Sequence, residues 1–352
     1  MQPKILTASV LLLTSMAVAQ TSLVIPPEYE RAWGRGSTAL LGGNTTRTQF
    51  VYANPFPAGT TILGISFRPT AATADRAAFT ADMEIRCSSS TAVPGALSTT
   101  WTSNIGNDEA VVLPQQTVNI PAMPANRGTG AWAQVLFQNP FVFGTNGNTN
   151  LVVDVLVFAR SAGASWSTDR AFASTNGRAA TAGIGCGSAT VNSTSSGGTY
   201  VAGSTVNFTL SGAPAGTIAL FVPSIDMKEF APGALLPFPL ALIGAAPGCD
   251  VLVNPMVGLL AYVVDATGAA AASVPVPLTY SQAGLAGQWL YLVPPTPANT
   301  LGIETTANRA VWIGPEVCVP NYQYVWNLSS VTSTTASNAT TDSIPIVELL
   351  IQ

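Results

Sequence analysis

The sequence predicts an all-β protein of two β-sandwich, jelly-roll-like domains in tandem. Three observations carry this. First, apolar and polar residues alternate: in FTADMEIRC, Phe79, Ala81, Met83, Ile85 and Cys87 interleave with Thr80, Asp82, Glu84 and Arg86, the pattern of a half-buried strand. Second, turn clusters such as ANPFPAGT, GTNGNTN, STSSGG and PPTPANT separate such runs throughout. Third, only 9% of the side chains are charged, against about 25% in ordinary soluble domains. Ser, Thr, Asn and Gly supply the polar surface instead, and these residues compete with helical hydrogen bonding. Helices should be few.

The elements follow in chain order. Residues 1–19 read as a secretory signal peptide: Lys4 provides the positive start, Leu6 to Val18 are almost wholly apolar, and Ala17-Val18-Ala19 forms the cleavage site. The expected mature chain starts at Gln20 and is secreted, to the medium or the cell surface. No later stretch is long and apolar enough for a membrane helix. Residues 20–178 should form the N-terminal sandwich, within which NLVVDVLVFA (150–159) is apolar on both faces except at Asp154 and belongs mid-sheet. STNGRAATAG breaks the pattern, and residues 179–314 should form the second sandwich, with Val206, Phe208 and Leu210 facing its core. Pro315 interrupts again. The tail, 315–352, holds two strand-like runs, YQYVWNLSSV and SIPIVELLI. The second is apolar at nearly every position and must join a sheet, because an isolated strand is unstable in water. Either it returns to the first domain or it inserts into a neighbouring molecule, which would let the protein self-assemble.

Charge and cysteine content narrow the partners. Loss of the leader removes Lys4, so 13 basic side chains become 12 against 17 acidic ones. No basic patch could hold a phosphate backbone, and nucleic acid is not an expected partner. The four cysteines, Cys87, Cys186, Cys249 and Cys318, read as two disulfides in an exported chain, with three possible pairings. With no histidine and no C-x-x-C, a zinc site is not expected.

The second half carries a recognisable series: GIGCGS (183–188), VNFTLSGAPAG (206–216), LLPFPLALIGAAPGCDVLVNP (235–255), DATGAAAASVPVP (265–277), and a closing stretch ending in TANRAVWIG (306–314). It resembles a C-terminal β-sandwich module of secreted bacterial proteins, common in planctomycetes, with a "GAPGC…LG…TN…V-IG" pattern. Ala245-Ala246 stands here where that pattern has a single alanine. ILGISFRP, MEIRCSSSTAVPGALSTTWTSNIGND and FVFGTNGNTNLVVDV resemble the sandwich that often precedes the module. The resemblance implies fold and export rather than a chemistry. It also implies a Cys186–Cys249 bridge, which would leave Cys87 to pair with Cys318 and tie the tail to the first domain.

Candidate chemistry is sparse. Without histidine, the usual Ser-His-Asp and Cys-His arrangements cannot be built. Ser224 stands four residues before Lys228, the only lysine beyond the leader, in an expected loop. Asp265 in DATG suits a hairpin turn. Asp82 and Glu84 share a wet strand face with Arg86, as a salt-bridged surface would, though a glycoside hydrolase also needs two carboxylates. Asp108-Glu109 and Asn146, Asn148 and Asn150 are candidate calcium ligands with low carboxylate density; no other cofactor is expected. Tyr322, Tyr324 and Trp326 fall on one face of a strand. Exposed, they could stack on sugar rings; buried, they are a core face. The sequence thus points to a secreted, non-enzymatic protein of the cell surface or matrix, with a structural or adhesive role and a glycan or surface protein as partner. Carbohydrate binding through the aromatic face is the alternative, and a carboxylate-based glycoside hydrolase a more distant one.

Overall fold

The computed structural model describes residues 20–34, 37–71, 74–161, 167–172, 176–315, 322–340 and 343–352. The expected signal peptide and Cys318 lie outside them. The chain is all-β, its strands antiparallel and its described helical turns single 3-10 turns of three or four residues, such as Pro27–Tyr29 and Leu240–Ile243.

One group of strands comes from the first half and the tail. A six-stranded sheet runs Asn338–Thr340, Tyr322–Asn327, Thr46–Ala53, Asn150–Arg160, Phe79–Ser90, Ala110–Ile120. Facing it, a four-stranded sheet runs Thr21–Ile25, Val347–Ile351, Thr61–Phe67, Ala133–Val142. The alternation expected for Phe79–Cys87 is observed, with Phe79, Ala81, Met83, Ile85 and Cys87 all buried. Asn150–Arg160 is central, paired on both sides, and buried on both faces.

The tail is integral to this group. Val347–Ile351 lies between Thr21–Ile25 and Thr61–Phe67, pairing antiparallel with both, and Val347 and Leu349 are buried. The slot that a donor strand would fill is therefore occupied by the molecule's own last strand. Self-assembly by exchange of this strand is not what the structure shows.

The second group spans residues 178–313. A five-stranded sheet runs Arg178–Ala182, Ile303–Ile313, Ala283–Leu292, Ile218–Ser224, Leu260–Val263, and a three-stranded sheet runs Thr190–Ser195, Thr205–Ser211, Ala269–Pro275. Val206, Phe208 and Leu210 point into the core between them, as their spacing predicts, against Phe221, Trp289 and Tyr291. The other face of Ala283–Leu292 and Ile303–Ile313 is buried too. Ala286, Leu290, Ala310 and Trp312 belong to the same apolar cluster as the first sandwich, so the core does not divide where the strand groups do.

Cys186 and Cys249 form a disulfide. It closes a 63-residue separation and is worth about 4 kcal/mol in the chain-entropy model. The glycines beside Cys186 are required by proximity to the strand Ile303–Ile313 and its neighbour: a Cβ on Gly185 would lie 2.0 Å from the Thr305 carbonyl oxygen, and one on Gly187 1.8 Å from the Tyr291 hydroxyl. The expected second bridge is not made at its Cys87 end. Cys87 is a free thiol in the first core, where burial pushes its pKa up.

Candidate functional site

The described rings of the aromatic stripe, Tyr324 and Trp326, face the first core. Gln323, Tyr324, Val325 and Asn327 are buried, on both faces of the strand. Tyr324 is only 4% exposed, its ring stacked 4.6 Å from Trp326 and its hydroxyl accepting from Arg170 Nη1 at 3.2 Å. On the opposite face Val325 packs with Val51, Leu97, Trp101 and Val152, and Gln323 Oε1 accepts from the Leu97 amide at 2.8 Å. Trp326 is half-buried against the first core. Tyr322 pairs with Tyr52 through its backbone, while its side chain lies outside the described residues. Alternation shows which side chains share a face but not what that face meets: Tyr324 and Trp326 lie against the first core, and the loop 97–104 covers the Gln323 and Val325 side.

Of the candidate carboxylates, Glu84 and Glu109 face an arginine and Asp82 a glutamine. Arg86 Nε donates to Glu84 Oε1 at 2.6 Å and Arg86 Nη1 lies 3.7 Å from Glu109. Asp82 accepts from Gln115 at 2.8 Å. Asp154 receives Arg47 at 2.6 Å; burial pushes its carboxyl up, with the Arg47 guanidinium pulling against this. Ser224 and Lys228 are not brought together: the Ser224 hydroxyl donates to the Asp226 carbonyl at 2.9 Å, and Lys228 Nζ reaches Glu30 at 2.8 Å. Asp265 caps its own turn, accepting from the Thr267 and Ala269 amides.

The two candidate calcium-ligand segments do meet, through Asn107 beside Asp108. Asn146 Nδ2 donates to Asn107 Oδ1 and to the Ser89 carbonyl, both at 2.8 Å, and Asn148 Nδ2 donates to the same carbonyl at 3.0 Å. Asp108 Oδ1 accepts from the Ser89 amide at 2.8 Å. Asn150 bonds the Ala92 carbonyl. The asparagines act here as donors that knit two turns to one strand end. No group of three or more Asp, Glu, His or Cys able to hold a metal occurs among the described residues.

The deepest polar site is a structural one. Arg68 and Asp169 are both fully buried, with Arg68 Nη2 2.8 Å from Asp169 Oδ2. Arg68 also donates to the carbonyls of Tyr29 and Ala32, each at 2.9 Å, and lies over the rings of Trp33 and Trp132. Asp169 accepts from the amides of Gly34 and Arg170. Burial pushes the Asp169 carboxyl up and the Arg68 guanidinium down, and the ion pair opposes both shifts. A cleft of about 260 Å³ between Thr21–Ile25 and Tyr52–Pro55 holds the Glu28 carboxyl, which burial also pushes up.

What remains is a surface that sequence reasoning passed over. The edge strand Leu260–Val263 pairs on one side only, with Ile218–Phe221. Leu259 is 56% exposed, Leu260 44% and Val263 72%. Beside it opens an apolar groove of about 200 Å³ between the two sheets, walled by Ile225, Val257, Val274, Val276, Tyr280 and Leu285. Leu278, next in sequence to the groove residue Pro277, is 83% exposed. The signal was present: from Val251 to Val264 no side chain is charged, with Asp250 and Asp265 as the flanking charges. Contiguous exposed apolar surface of this kind marks an interaction site rather than a reaction centre.

No helix among the described residues is long and apolar enough to cross a membrane. The chain matches no family model and no curated protein.

Proposed function

We propose that this is a secreted, non-enzymatic protein that works at the cell surface or in the extracellular matrix, in a structural or adhesive role. The observation that carries the reading is the uncharged, apolar exposure of the second sandwich. Leu242 is 73% exposed, Met256 75% and Val257 58%, besides the edge strand and groove. Two further features support it: the ion pairing of Glu84, Glu109, Asp154 and Asp169 with arginines, and a Ser/Thr/Asn-rich composition with few charges. Surfaces of this type act by contact, through desolvation of apolar area, and need no positioned acid or base.

The test uses residues 20–352, oxidised and fluorescently labelled, titrated onto envelope and matrix fractions of the producing cells. Saturable binding is expected, reduced severalfold when Leu242 and Met256 are both replaced by Glu. Prior treatment of the fractions with protease or with periodate separates a protein partner from a glycan one. Absence of saturable binding, or turnover on a broad glycoside panel, would overturn the reading.

A further inference from the structure

We infer that the edge strand Leu260–Val263 pairs with the same strand of a second copy, antiparallel across a two-fold axis, giving a dimer with one continuous sheet through both second sandwiches. The inference rests on the contact-surface reading above and names its partner.

The Val264 amide donates to the Thr217 carbonyl at 2.9 Å, toward the strand Ile218–Ser224. By the alternation of an antiparallel ladder, Tyr262 and Leu260 direct their backbone groups the same way, and Ala261 and Val263 direct theirs outward. No described strand pairs with that outer edge. An open row of donors and acceptors is a template for another strand, and proteins that avoid such pairing guard the edge with charge, proline or a bulge. This edge has none of the three within 259–263.

The occupant follows from charge and symmetry. A partner strand bearing ionised side chains would lose their hydration against Leu259, Leu260 and Val263, and a carboxylate-bearing one would also meet the flanking Asp265. A second copy brings an edge as neutral and apolar as the first. Antiparallel pairing of a strand with itself is self-complementary, as an isologous interface requires. Centred on Ala261, the pairing sets Leu259 opposite the partner copy's position 263 and Leu260 opposite its position 262. A small residue at the axis lets the strands approach, while Val263, on the outer face, gains an apolar neighbour. The groove, with the exposed Val257 in its wall, offers further apolar area beyond the four-residue strand.

The test is sedimentation equilibrium of residues 20–352 from low micromolar to sub-millimolar concentration. The expected result is a reversible monomer–dimer equilibrium. Ala261→Pro removes only the outward N–H, a substitution that edge strands tolerate, and Val263→Lys places a charge on the interface. Each should weaken the dimer by about tenfold or more with an unchanged far-ultraviolet spectrum. Hydrogen exchange on the unmodified chain gives an independent readout: the amides of Ala261 and Val263 should be open to exchange in dilute samples and protected in concentrated ones. A chain that stays monomeric throughout, a dimer indifferent to both substitutions, or amides equally open at every concentration would overturn the proposal. A monomer that still binds envelope fractions saturably would reject the dimer alone and leave the adhesive role in place.

Discussion

At the scale of single residues, the sequence places its few charges with unusual economy, and the fully buried pair Arg68–Asp169 shows what they are for. Arg68 ties together the Tyr29 and Ala32 carbonyls, two tryptophan rings and Asp169, which itself holds the Gly34 amide. Pairing two desolvated charges gains little net stability, but stranding one of them is costly. Arg68→Met should therefore lower unfolding free energy by about 3–5 kcal/mol, read as a shift in the denaturant midpoint. Adding Asp169→Asn to that variant removes the stranded charge and should recover part of the loss. A second loss equal to the first would mean that the two residues act independently.

At the scale of elements, strands were legible where one face is wet and one dry. Phe79–Ser90 is buried at the positions its alternation marks, and Asn150–Arg160 is the mid-sheet strand its unbroken apolar run implies. The Cys186–Cys249 bridge was reached by resemblance, because spacing alone leaves three pairings open. Tyr322–Asn327 was only half legible. Its period of two is real, yet the burial of its second face depends on Leu97 and Trp101, more than 200 positions away, and no local pattern reports such a contact. The edge Leu260–Val263 was half legible for the opposite reason: its uncharged run is plain in the sequence, but an apolar run reads as core whether or not anything covers it. The last strand gives the clearest element-level prediction. Truncation after Ser343 removes Ile344, Ile346, Val347 and Leu349, all buried, at about 1.5–3 kcal/mol each. That sum is on the order of the whole stability of a domain, and it also opens a slot between Thr21–Ile25 and Thr61–Phe67. The truncated chain should lose its near-ultraviolet dichroism, and a synthetic peptide of residues 344–352 supplied in trans should restore it. A truncated chain with an unaltered spectrum would show that the strand is dispensable.

At the scale of the whole molecule, two sandwiches by topology behave as one by packing. The seam is the segment Pro27–Gly34. The Tyr29 ring stacks on Trp312 at 4.1 Å, Glu30 meets Lys228, Arg31 pairs with Asp226 and accepts the Met227 amide through its carbonyl, and Ala32 lies where a Cβ on Gly284 would come within 2.3 Å. From the other side, the Thr129 amide donates to the Met227 carbonyl and Gly128 to Leu236. Interfaces between independent domains are ordinarily modest and polar. Here Ala286, Ala310 and Trp312 share one apolar cluster with Phe67, Ile65 and Val347, so neither half can unfold without exposing the core of the other. Scanning calorimetry should give a single transition whose calorimetric and van't Hoff enthalpies agree. Residues 176–315 expressed alone should melt well below the intact chain, having lost cover over Trp312 and the alanines beside it. Glycine 284 offers a second handle: Gly284→Val puts methyl groups into Ala32 and should separate the halves without touching the interior of either, splitting the transition in two. If the unmodified chain already melts in two steps, or the isolated second half melts at the temperature of the whole, the seam is a contact between finished domains. If it melts once and the valine splits it, the cooperativity of the molecule depends on the contacts that Pro27–Gly34 makes across the seam.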